Sequence, residues 1–403
     1  MRIALVSSLF APYGLGGAEE VAAQLATNLR NLGHAVDVIS TCRRDDLNGK
    51  PYRIDVWNDI RVWRIAPWNL YWRFDRETQH PSPLARAAWH LVDLWNPSTI
   101  GPLRAVLQRI RPDIVNTHNI DGLSPAVWQV ARESAAVVHT LHDYHLLCPR
   151  AILQRRDGTL CASLCGSCRA YAAFNRIFER YVDAVIAPSK AVADLHEGGG
   201  WRRPVVIPNA VDFEEIELPA RVSGDPLEVV FMSRLVPEKG CETLLSTMEH
   251  FRDFHHIHFH VAGKGPQESR FQGLVGKRTN FTWHGFVTGR GKTALLSAGD
   301  VFLQLSEWPE NAPLAVLEAK QCGLHLVGVN IGGIPELISS DREGRLISPR
   351  DPAGLVRVLN ELTENRNVLR AERKSRIEQN RGYGLLEMTR SYLRTFTSSA
   401  EVH

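Results

Sequence analysis

In the segment SEWPENAPLAVLEAKQCG, residues 306–323, seven residues separate Glu310 from Glu318. Pro313 suits the first position of a helix, and Glu318 falls inside that helix. On one continuous helix the step from Glu310 to Glu318 would be about 12 Å of rise, so the two carboxylates could not hold the same atom. We therefore expect Glu310 in the loop before the helix and Glu318 within it.

The start of this predicted helix could receive an anion. Backbone N–H groups in a first helical turn have no carbonyl partner within the helix, and the helix dipole favours negative charge there. The N–H groups of Ala312, Leu314 and Ala315 lie between the two glutamates. This arrangement favours an elongated ligand with hydroxyl groups at both ends and a phosphate between them. The alternative is that both glutamates are solvated surface charges, although Glu318 has apolar neighbours.

A pair of cations follows an earlier predicted strand. Arg234 lies at the end of VVFMSRL, and Lys239 comes five residues later, just before a glycine and a helix. Two fixed cations at the carboxyl end of a strand suit a diphosphate, although two surface charges are the alternative. The segments VAGKGP (261–266) and IGGIPELI (331–338) also follow strands, and their glycines allow the backbone to approach a ligand closely.

Two series of β-branched runs, each alternating with helical stretches, must position these residues. A polar segment at residues 212–226, which contains two prolines and a glycine, separates the series. The order predicts an α/β protein with two doubly wound, Rossmann-like domains that face a cleft. We place the domains at residues 1–212 and 213–384.

The composition excludes several classes of function. The chain has 403 residues, and its 47 basic and 44 acidic side chains give a net charge of +3, which does not indicate a nucleic-acid-binding protein. It contains no apolar run of the roughly 20 residues that a membrane span needs. Its start lacks the pattern of a secretory signal. We therefore expect a cytoplasmic protein whose seven cysteines are reduced thiols or metal ligands.

Several motifs together resemble a known family. Arg234 with Lys239, the Glu-x7-Glu pair and GGIPE are similar to the donor site of the retaining nucleotide-sugar glycosyltransferases of family 4, which have the two-domain GT-B fold. In the N-terminal half, GLGGAEE, TLHD and IPNAVD stand in the order of that family. The resemblance runs from about residue 3 to about residue 350. It also implies that a terminal helix, about residues 385–403, joins the N-terminal domain.

The resemblance implies the reaction and its partners. A sugar would move from a UDP- or GDP-sugar to a glycan or a lipid-linked acceptor, with retention of anomeric configuration. The leaving phosphate would help to deprotonate the acceptor on the same face, and a covalent route through Asp143 is the alternative. No metal or other cofactor would be required. The process would be the synthesis of a cell-surface polysaccharide or glycoconjugate.

The resemblance also implies roles for single residues. Arg234 and Lys239 would stabilise the departing diphosphate. Glu310 would contact the donor sugar, Glu318 would bind the ribose hydroxyls, and His142 would lie near the donor sugar and the acceptor. His142, Glu310, Arg234 and Lys239 form the expected catalytic set. The other expected donor-binding residues are Gly16, Gly17, Gly263, His284, Gly285, Asn311, Ala312, Pro313 and Leu314.

Two further groups could bind metal. Four cysteines have the spacing C-x12-C-x3-C-x2-C and could hold a structural zinc ion, or they could be unligated thiols or a pair that oxidises on isolation. These are Cys148, Cys161, Cys165 and Cys168. The segment FHHIHFHVAG puts three histidines, His256, His258 and His260, on one face of a strand, where they could bind zinc or merely pack.

Six of the ten tryptophans fall between Trp57 and Trp95, with arginines among them. Such a segment could lie at the inner face of a membrane and meet a lipid-linked acceptor, which would make the protein peripherally membrane-associated. Alternatively, it could form a helical flap on the N-terminal domain that shapes the acceptor pocket. Either interpretation places the choice of acceptor in this segment.

Two other functions would use similar motifs. A sugar-nucleotide epimerase of the same fold would use the donor site without an acceptor, and a non-catalytic protein would only bind the nucleotide sugar. The presence of Arg234, Lys239, Glu310 and His142 argues against the non-catalytic alternative. The sequence favours a glycosyltransferase.

Overall fold

The computed structural model describes residues 1–13, 16–74, 81–155, 157–212, 216–222, 224–382 and 384–402. The chain divides into two compact units. The first contains Met1–Leu153, Cys161–Asn209 and Leu385–His403, and the second contains Gln154–Leu160 and Ala210–Gly384. Parts of three predicted features lie outside the described residues: the linker (213–215 and 223), the glycine-rich loop (14–15) and the tryptophan-rich segment (75–80).

The first unit is built on a sheet of eight strands. The strands are β1 (Arg2–Ser7), β2 (Ala35–Thr41), β3 (Arg53–Trp57), β4 (Ile60–Ile65), β5 (Ile114–Thr117), β6 (Ala136–Thr140), β7 (Ala184–Ala187) and β8 (Val205–Val206). Their order is β3-β4-β2-β1-β5-β6-β7-β8. The accompanying helices are α1 (Gly17–Asn31), α2 (Pro83–Leu94), α3 (Ile100–Ile110), α4 (Ala126–Ala131), α5 (Gly166–Arg176) and α6 (Lys190–Gly198).

The predicted parallel sheet is confirmed, and it carries one antiparallel edge strand that the sequence analysis missed. β3 pairs with β4 in an antiparallel hairpin, while the other neighbours run parallel. The two-residue turn Asn58–Asp59 has positive φ at both positions, which suits the tight turns that join twisted strands. The chain between Trp57 and Trp63, which the structure describes throughout, therefore reverses direction in a tight turn, and no crossover helix lies between these two strands.

The second unit has a sheet of six strands, and all its neighbouring pairs are parallel. The strands are β9 (Leu227–Met232), β10 (Ile257–Ala262), β11 (Phe281–Gly285), β12 (Val301–Gln304), β13 (His325–Val329) and β14 (Gly344–Ile347), in the order β11-β10-β9-β12-β13-β14. The helices are α7 (Cys241–His250), α8 (Glu268–Gln272), α9 (Gly289–Ala298), α10 (Leu314–Gln321), α11 (Pro352–Glu364), α12 (Arg366–Ala371) and α13 (Arg373–Asn380).

Helices cover both faces of this second sheet. Val229 and Phe231 of β9 point to one core, which includes residues of α7 and α11. Val230, between them, points to the other core, which includes residues of α9 and α10. Because successive side chains of a strand point to opposite faces, a strand covered on both sides is apolar throughout. This is why LEVVFM and DVFLQ could be identified as strands from sequence.

The last helix, α14 (Leu385–Val402), packs against α1 and β6 of the first unit. Its buried residues Met388, Tyr392 and Phe396 repeat every four positions and form the apolar stripe that makes this contact. Among the described residues, none of the helices is both long enough and apolar enough to cross a bilayer.

The tryptophan-rich segment is not a single helical flap, so that alternative is wrong as stated. Trp57 belongs to β3. Trp63 lies in β4, and its indole N–H donates a hydrogen bond to Asp37. Of the described part, only Pro83–Leu94, with Trp89, is an α-helix. Trp68 and Trp72 lie in an irregular stretch between the hairpin and this helix.

A buried ion pair between Arg370 of α12 and Asp300, which directly precedes β12, provides a stability prediction. The Arg370 guanidinium donates to both carboxylate oxygens of Asp300, at 3.1 and 2.7 Å, and the Asp300 side chain is 1% exposed. Arg370→Met leaves that carboxylate buried and unpaired, so we expect a loss of about 3 kcal/mol in the free energy of unfolding, measured by urea titration. The matched control is Arg357→Met on α11, whose side chain is 74% exposed and which should cost under about 0.5 kcal/mol. Equal losses in the two variants would contradict the assignment.

Candidate active site

Polar side chains gather at the carboxyl ends of β5 and β6 in the first unit. His142 follows β6, and its Nε2 lies 2.7 Å from Nδ1 of His118, which follows β5. The two rings stack with centroids 5.0 Å apart. Burial lowers the pKa of His142 to about 4 and lowers that of His118 well below its usual value. Both imidazoles are therefore neutral near pH 7, and each offers one donor and one acceptor nitrogen.

His139 has a structural role. It lies within β6, and its Nδ1 is 2.8 Å from Thr117 Oγ1, which also accepts a hydrogen bond from the Trp128 indole. The ring is buried, and its pKa falls to about 3 mainly because of that burial. It serves the packing of β5, β6 and α4.

Asp121 is the centre of a buried charged network that the sequence analysis missed. The Arg73 guanidinium donates to it at 2.8 Å, and His145 Nδ1 lies 2.9 Å from it. Burial would raise the pKa of Asp121, but the charges of His145 and Arg73 outweigh burial and hold that pKa well below its usual range. Burial would lower the pKa of His145, but Asp121, helped by Asp143 and Asp93, raises it to about 9. His145 is therefore the cation of the group at pH 7.

Two other carboxyl groups in the network have pKa values that are raised above the usual range. Burial raises the pKa of Asp93 to about 7, and burial with the charge of Asp121 raises that of Asp143 to about 6. Asp93, Asp121 and His145 offer ligand atoms within 4.8 Å of one another, which is a spacing that could hold a metal ion. However, a protonated imidazole is not a ligand, and Arg73 already supplies a cation at Asp121. The positive charges of His145 and Arg73 therefore already balance the negative charge of Asp121.

An aromatic cavity of about 300 Å³ lies beside this network in the first unit. Asp121 and Arg73 form part of its wall, and the Arg73 guanidinium lies 5.3 Å from the ring centre of Trp89. Its aromatic lining consists of Trp68, Tyr71, Trp72, Phe74 and Trp89. A concave apolar surface with a few fixed polar groups is typical of a ligand site.

The start of α1 adds one more acid to this end of the sheet. Gly16 precedes the helix and Gly17 begins it, while Glu19 in the first turn hydrogen-bonds with Asn119. Burial raises the pKa of Glu19 above its usual value. The glycines of the motif GLGGAEE are expected to contact the donor. The side chain of this motif that turns inward is that of Glu19, which follows the glycines.

In the second unit, Lys239 and Glu310 form a buried ion pair at the carboxyl ends of β9 and β12. The Lys239 ammonium donates to Glu310 Oε1, and the two side chains are 12% and 7% exposed. Ser306 Oγ and Gln304 Nε2 also donate to that oxygen, the latter at 3.2 Å. The Lys239 ammonium lies 5.0 Å from the ring centre of Trp308, a cation–π distance. The structure thus joins two residues that are 71 positions apart and that the sequence assigned to one site.

Glycines let the loops at these strand ends approach closely. Gly263 has φ +144, and a Cβ there would lie 1.8 Å from the Ser233 carbonyl oxygen. Gly332 has φ +60, and a Cβ there would lie 2.5 Å from the carbonyl oxygen of Glu310. Gly333 N–H donates to that same carbonyl at 2.7 Å. The GGIPE segment therefore fixes the backbone of the catalytic glutamate predicted from sequence.

The structure places Glu310 before α10 and Glu318 inside that helix, as expected. Glu318 accepts from the Lys292 ammonium, a partner on α9 that the sequence did not indicate. Pro313 directly precedes the helix, which begins at Leu314, so the expected first helical position is off by one residue. Asn311 and Ala312 lie in the same loop as Glu310.

Arg234, His284 and Gly285 occupy other strand ends of the second unit. Arg234 follows β9 and is exposed. His284 and Gly285 end β11, and the Gly285 carbonyl accepts from Gly263 N–H at 2.7 Å. His256 precedes β10 and is exposed, so the expected set of three histidines on one strand is wrong for that residue.

The four cysteines lie around the start of α5. Cys165 directly precedes this helix and Cys168 belongs to it, and the Cys168 thiol contacts the thiols of Cys148 and Cys165. Cys148 is buried, and Cys161 follows a short hairpin whose ends are bridged at Gln154 and Leu160. Three of the four thiols therefore come together, and a zinc ion held by all four stays a prediction.

Comparisons with known proteins agree with this geometry. Residues 15–215 match the family described as Glycosyltransferase Family 4, and residues 212–382 match the family described as Glycosyl transferases group 1. An uncharacterized 42.6 kDa protein in the cps region of Klebsiella pneumoniae is 26% identical over 341 residues, which are 84% of this chain and 87% of the relative.

Two solved structures have a similar fold. Sucrose-phosphate synthase from Thermosynechococcus elongatus has a TM-score of 0.75 at 18% identity, covering 100% of both chains. Anabaena Alr3699/HepE in complex with UDP-glucose has a TM-score of 0.67 at 17% identity, covering 98% of this chain and 99% of the other. These similarities confirm the predicted fold of two Rossmann-like domains.

The buried network predicts a pH dependence of stability. The pKa of His145 is raised from about 6.5 unfolded to about 9 folded, so the folded state holds an extra proton between these values. Its stabilising contribution is complete below pH 6.5 and is lost as the pH rises through 9, a decline of up to about 3 kcal/mol in the free energy of unfolding. Urea titrations at pH 7.5, 8.5 and 9.5 should show a steeper slope in the wild type than in His145→Gln. His90→Gln is the control: burial lowers the His90 pKa to about 4, so the slope above pH 6.5 should remain.

Proposed function

Because the chain belongs to the glycosyltransferases of group 1 and family 4, we propose that it transfers a sugar, with retention of configuration, from a UDP- or GDP-sugar to a glycan or lipid-linked acceptor. The family membership, which the sequence resemblance predicted, makes it a glycosyltransferase of glycan or glycoconjugate synthesis. The observation that supports the finer proposal is the buried pair of Lys239 and Glu310 at the strand ends of the second unit.

The cations of the second unit suit the diphosphate of the donor. Lys239 uses one contact on Glu310, and an ammonium group has three N–H donors, so phosphate oxygens can share it. Arg234 is exposed at the end of the same strand and adds a second positive charge. As the bond to the sugar breaks, negative charge grows on the phosphate, and fixed cations lower the energy of that state. We propose that these two side chains supply the stabilisation that a divalent metal supplies in other enzymes, so that no cofactor is required.

The two glutamates would then bind hydroxyl groups at the two ends of the donor. Glu310 is 5% exposed and is oriented by Lys239, Ser306 and Gln304, which suits a carboxylate that fixes a sugar ring. Glu318 is on α10 and is less buried, which suits contact with the ribose. The complex of Anabaena Alr3699/HepE with UDP-glucose supports a nucleotide sugar as the donor.

We further propose the front-face route for the reaction. His142 is neutral, so it is suited to hydrogen-bond an uncharged sugar hydroxyl and not to bind the phosphate. Asp143 Oδ1 accepts a hydrogen bond from the backbone N–H of His145 at 2.7 Å, and this bond stabilises the carboxylate and weakens it as a nucleophile for a covalent route. The leaving phosphate would take the proton of the acceptor hydroxyl.

The aromatic cavity of the first unit is the proposed acceptor site. Rings such as Trp68 and Trp72 can pack against the C–H face of a sugar, while Asp121, held anionic by Arg73 and His145, can accept hydrogen bonds from sugar hydroxyls. The similarity to a protein of the cps region supports a polysaccharide or glycoconjugate as the acceptor. We propose that the enzyme acts in the cytoplasm, and at the inner face of the membrane when the acceptor is lipid-linked.

The reaction is tested with a panel of UDP- and GDP-sugars, with release of nucleotide and the fate of the sugar followed by NMR. We expect one donor to be hydrolysed slowly without an acceptor and faster with one, and the new glycosidic bond to keep the donor's anomeric configuration. Sugar epimerised at C2 would show instead that the protein is an epimerase. Binding without turnover of any donor, with acceptors present, would indicate the non-catalytic alternative.

Lys239→Ala tests the phosphate role in the same assay. Loss of a fixed cation at the developing charge should lower turnover by a factor of about 100 or more. Lys277→Ala, at an exposed lysine of the same unit, is the matched control and should leave turnover unchanged. Unchanged turnover in Lys239→Ala would contradict the role that we assign to Lys239.

Trp68→Ala tests the acceptor site without disturbing a buried side chain, because Trp68 is 50% exposed. We expect the KM for the acceptor to rise about tenfold while donor hydrolysis stays unchanged, since only the stacking surface is lost. Trp95→Ala is the control: Trp95 is 41% exposed and is not part of the cavity lining. Asp121→Asn should raise the same KM, and no change in either cavity variant would place the acceptor elsewhere.

A further inference from the structure

A group of histidines and a glutamate lies on the second sheet, apart from the residues assigned to the reaction. Glu228 of β9 is directly opposite His258 of β10 in the parallel register, and His260 is two residues further on the same face. His260 Nε2 is 2.8 Å from Glu228 Oε2, and the rings of His258 and His260 have centroids 4.8 Å apart. The three side chains offer ligand atoms that all lie within 4.8 Å of one another.

The packing of the sheet does not require these residues. Ile257, Phe259 and Val261 of β10 point to the opposite face and are buried in a hydrophobic core. The Glu228 and His260 side chains are only 14% and 15% exposed, so they lose much of their hydration. A bound cation would compensate this cost.

The outer contacts of the two imidazoles match those of metal-bound histidines. A ligating histidine usually gives its second ring nitrogen to a hydrogen-bond partner, which fixes the ring. His260 Nδ1 is 2.9 Å from His284 Nε2, and His258 Nε2 is 2.8 Å from Thr282 Oγ1. Both partners belong to β11. This leaves His260 Nε2, which faces Glu228, and His258 Nδ1 as the ligand atoms.

Arginine side chains lie near the group, since Glu228 faces Arg221 and also helps to raise the pKa of Arg370. Arg221 Nη1 is 3.5 Å from Glu228 Oε1, the oxygen that does not face His260, and its other nitrogen Nη2 donates to the Ala298 carbonyl. Arg221 therefore orients the carboxylate and leaves Oε2 for a cation. This differs from the network in the first unit, where the histidine itself is the cation between the carboxylates.

We propose that Glu228, His258 and His260 form a binding site for a divalent transition metal such as Zn²⁺. Two imidazoles and one carboxylate are a ligand set that zinc accepts, and water would complete the coordination of the ion. The ion would join β9 to β10 and, through His284 and Thr282, would fix the edge strand β11. The three ligands are not among the residues assigned to the transfer reaction, although His284, the outer partner of His260, is one of the expected donor-binding residues.

The test uses full-length protein that has been treated with a chelator and then dialysed. Titration with Co²⁺, followed by absorption, and with Zn²⁺, followed by calorimetry, should show an equivalent of metal bound with a Kd near or below about 10 µM. Cobalt at this site should give d–d bands without the sulfur-to-cobalt charge-transfer band of a thiolate site. This spectrum separates the site from the four cysteines. Zn²⁺ at about 100 times the Kd should raise the apparent Tm by about 5 °C.

Variants assign the binding. His260→Ala and Glu228→Gln should weaken the metal affinity at least about tenfold, and Thr282→Val, which removes an outer partner, by a factor of about 10. His256→Ala, at the exposed histidine just before β10, should leave the affinity and the spectrum unchanged. The proposal is overturned if the folded variants bind as the wild type does, if the only metal bound shows the thiolate spectrum, or if 100 µM metal does not bind.

Discussion

The second unit depends on a close approach of backbone loops at the carboxyl ends of its parallel strands. Lys239 and Glu310 can form a buried ion pair only because Gly240 lies against Leu305 and Gly332 lies against the backbone of Glu310, at distances where a Cβ would overlap carbonyl oxygens. A buried ion pair is costly unless its geometry is fixed and its remaining atoms are bonded. The glycines thus permit the loop geometry, and the loop geometry makes a desolvated lysine next to a glutamate tolerable. A side chain at either glycine would push the loops apart and so separate Lys239 from Glu310, whether or not a ligand is bound.

The first unit contains a different arrangement of buried charged and neutral groups. Its strand ends bring together several acids and imidazoles with a single arginine, and burial shifts each group toward the form that its neighbours allow. His142 and His118 stay neutral because burial lowers their pKa values, whereas His145 is charged because Asp121 lies 2.9 Å from it. A neutral histidine and a fixed anionic carboxylate suit recognition of uncharged hydroxyl groups. The lysine and exposed arginine of the second unit suit an anion. The two units therefore carry complementary chemistry for an acceptor and a donor.

Much of the fold and part of the site could be predicted from the sequence. The apolar runs of β9 to β14 identify a doubly covered parallel sheet, and the step between Glu310 and Glu318 separates loop from helix. The hairpin of β3 and β4 was missed because its turn residues, Asn58 and Asp59, do not stand out in a sequence that otherwise alternates strands with helices. The network around Asp121 could not be predicted, since Arg73 and His145 lie 48 and 24 positions away and no periodicity links them. The aromatic cavity is lined in part by an irregular stretch, for which no repeat pattern exists.

The histidines of β10 show how strand register decides the meaning of a pattern. The sequence places His256, His258 and His260 at alternate positions, which would suggest three equivalent ligands. Because the strand begins at Ile257, His256 lies outside it, and the third donor comes from the neighbouring strand as Glu228. Two imidazoles from one strand and a carboxylate from the next can converge on one point, while three imidazoles in a row along a strand would span about 13 Å. Pairing between strands, and not spacing along one of them, therefore creates the group that can hold a cation.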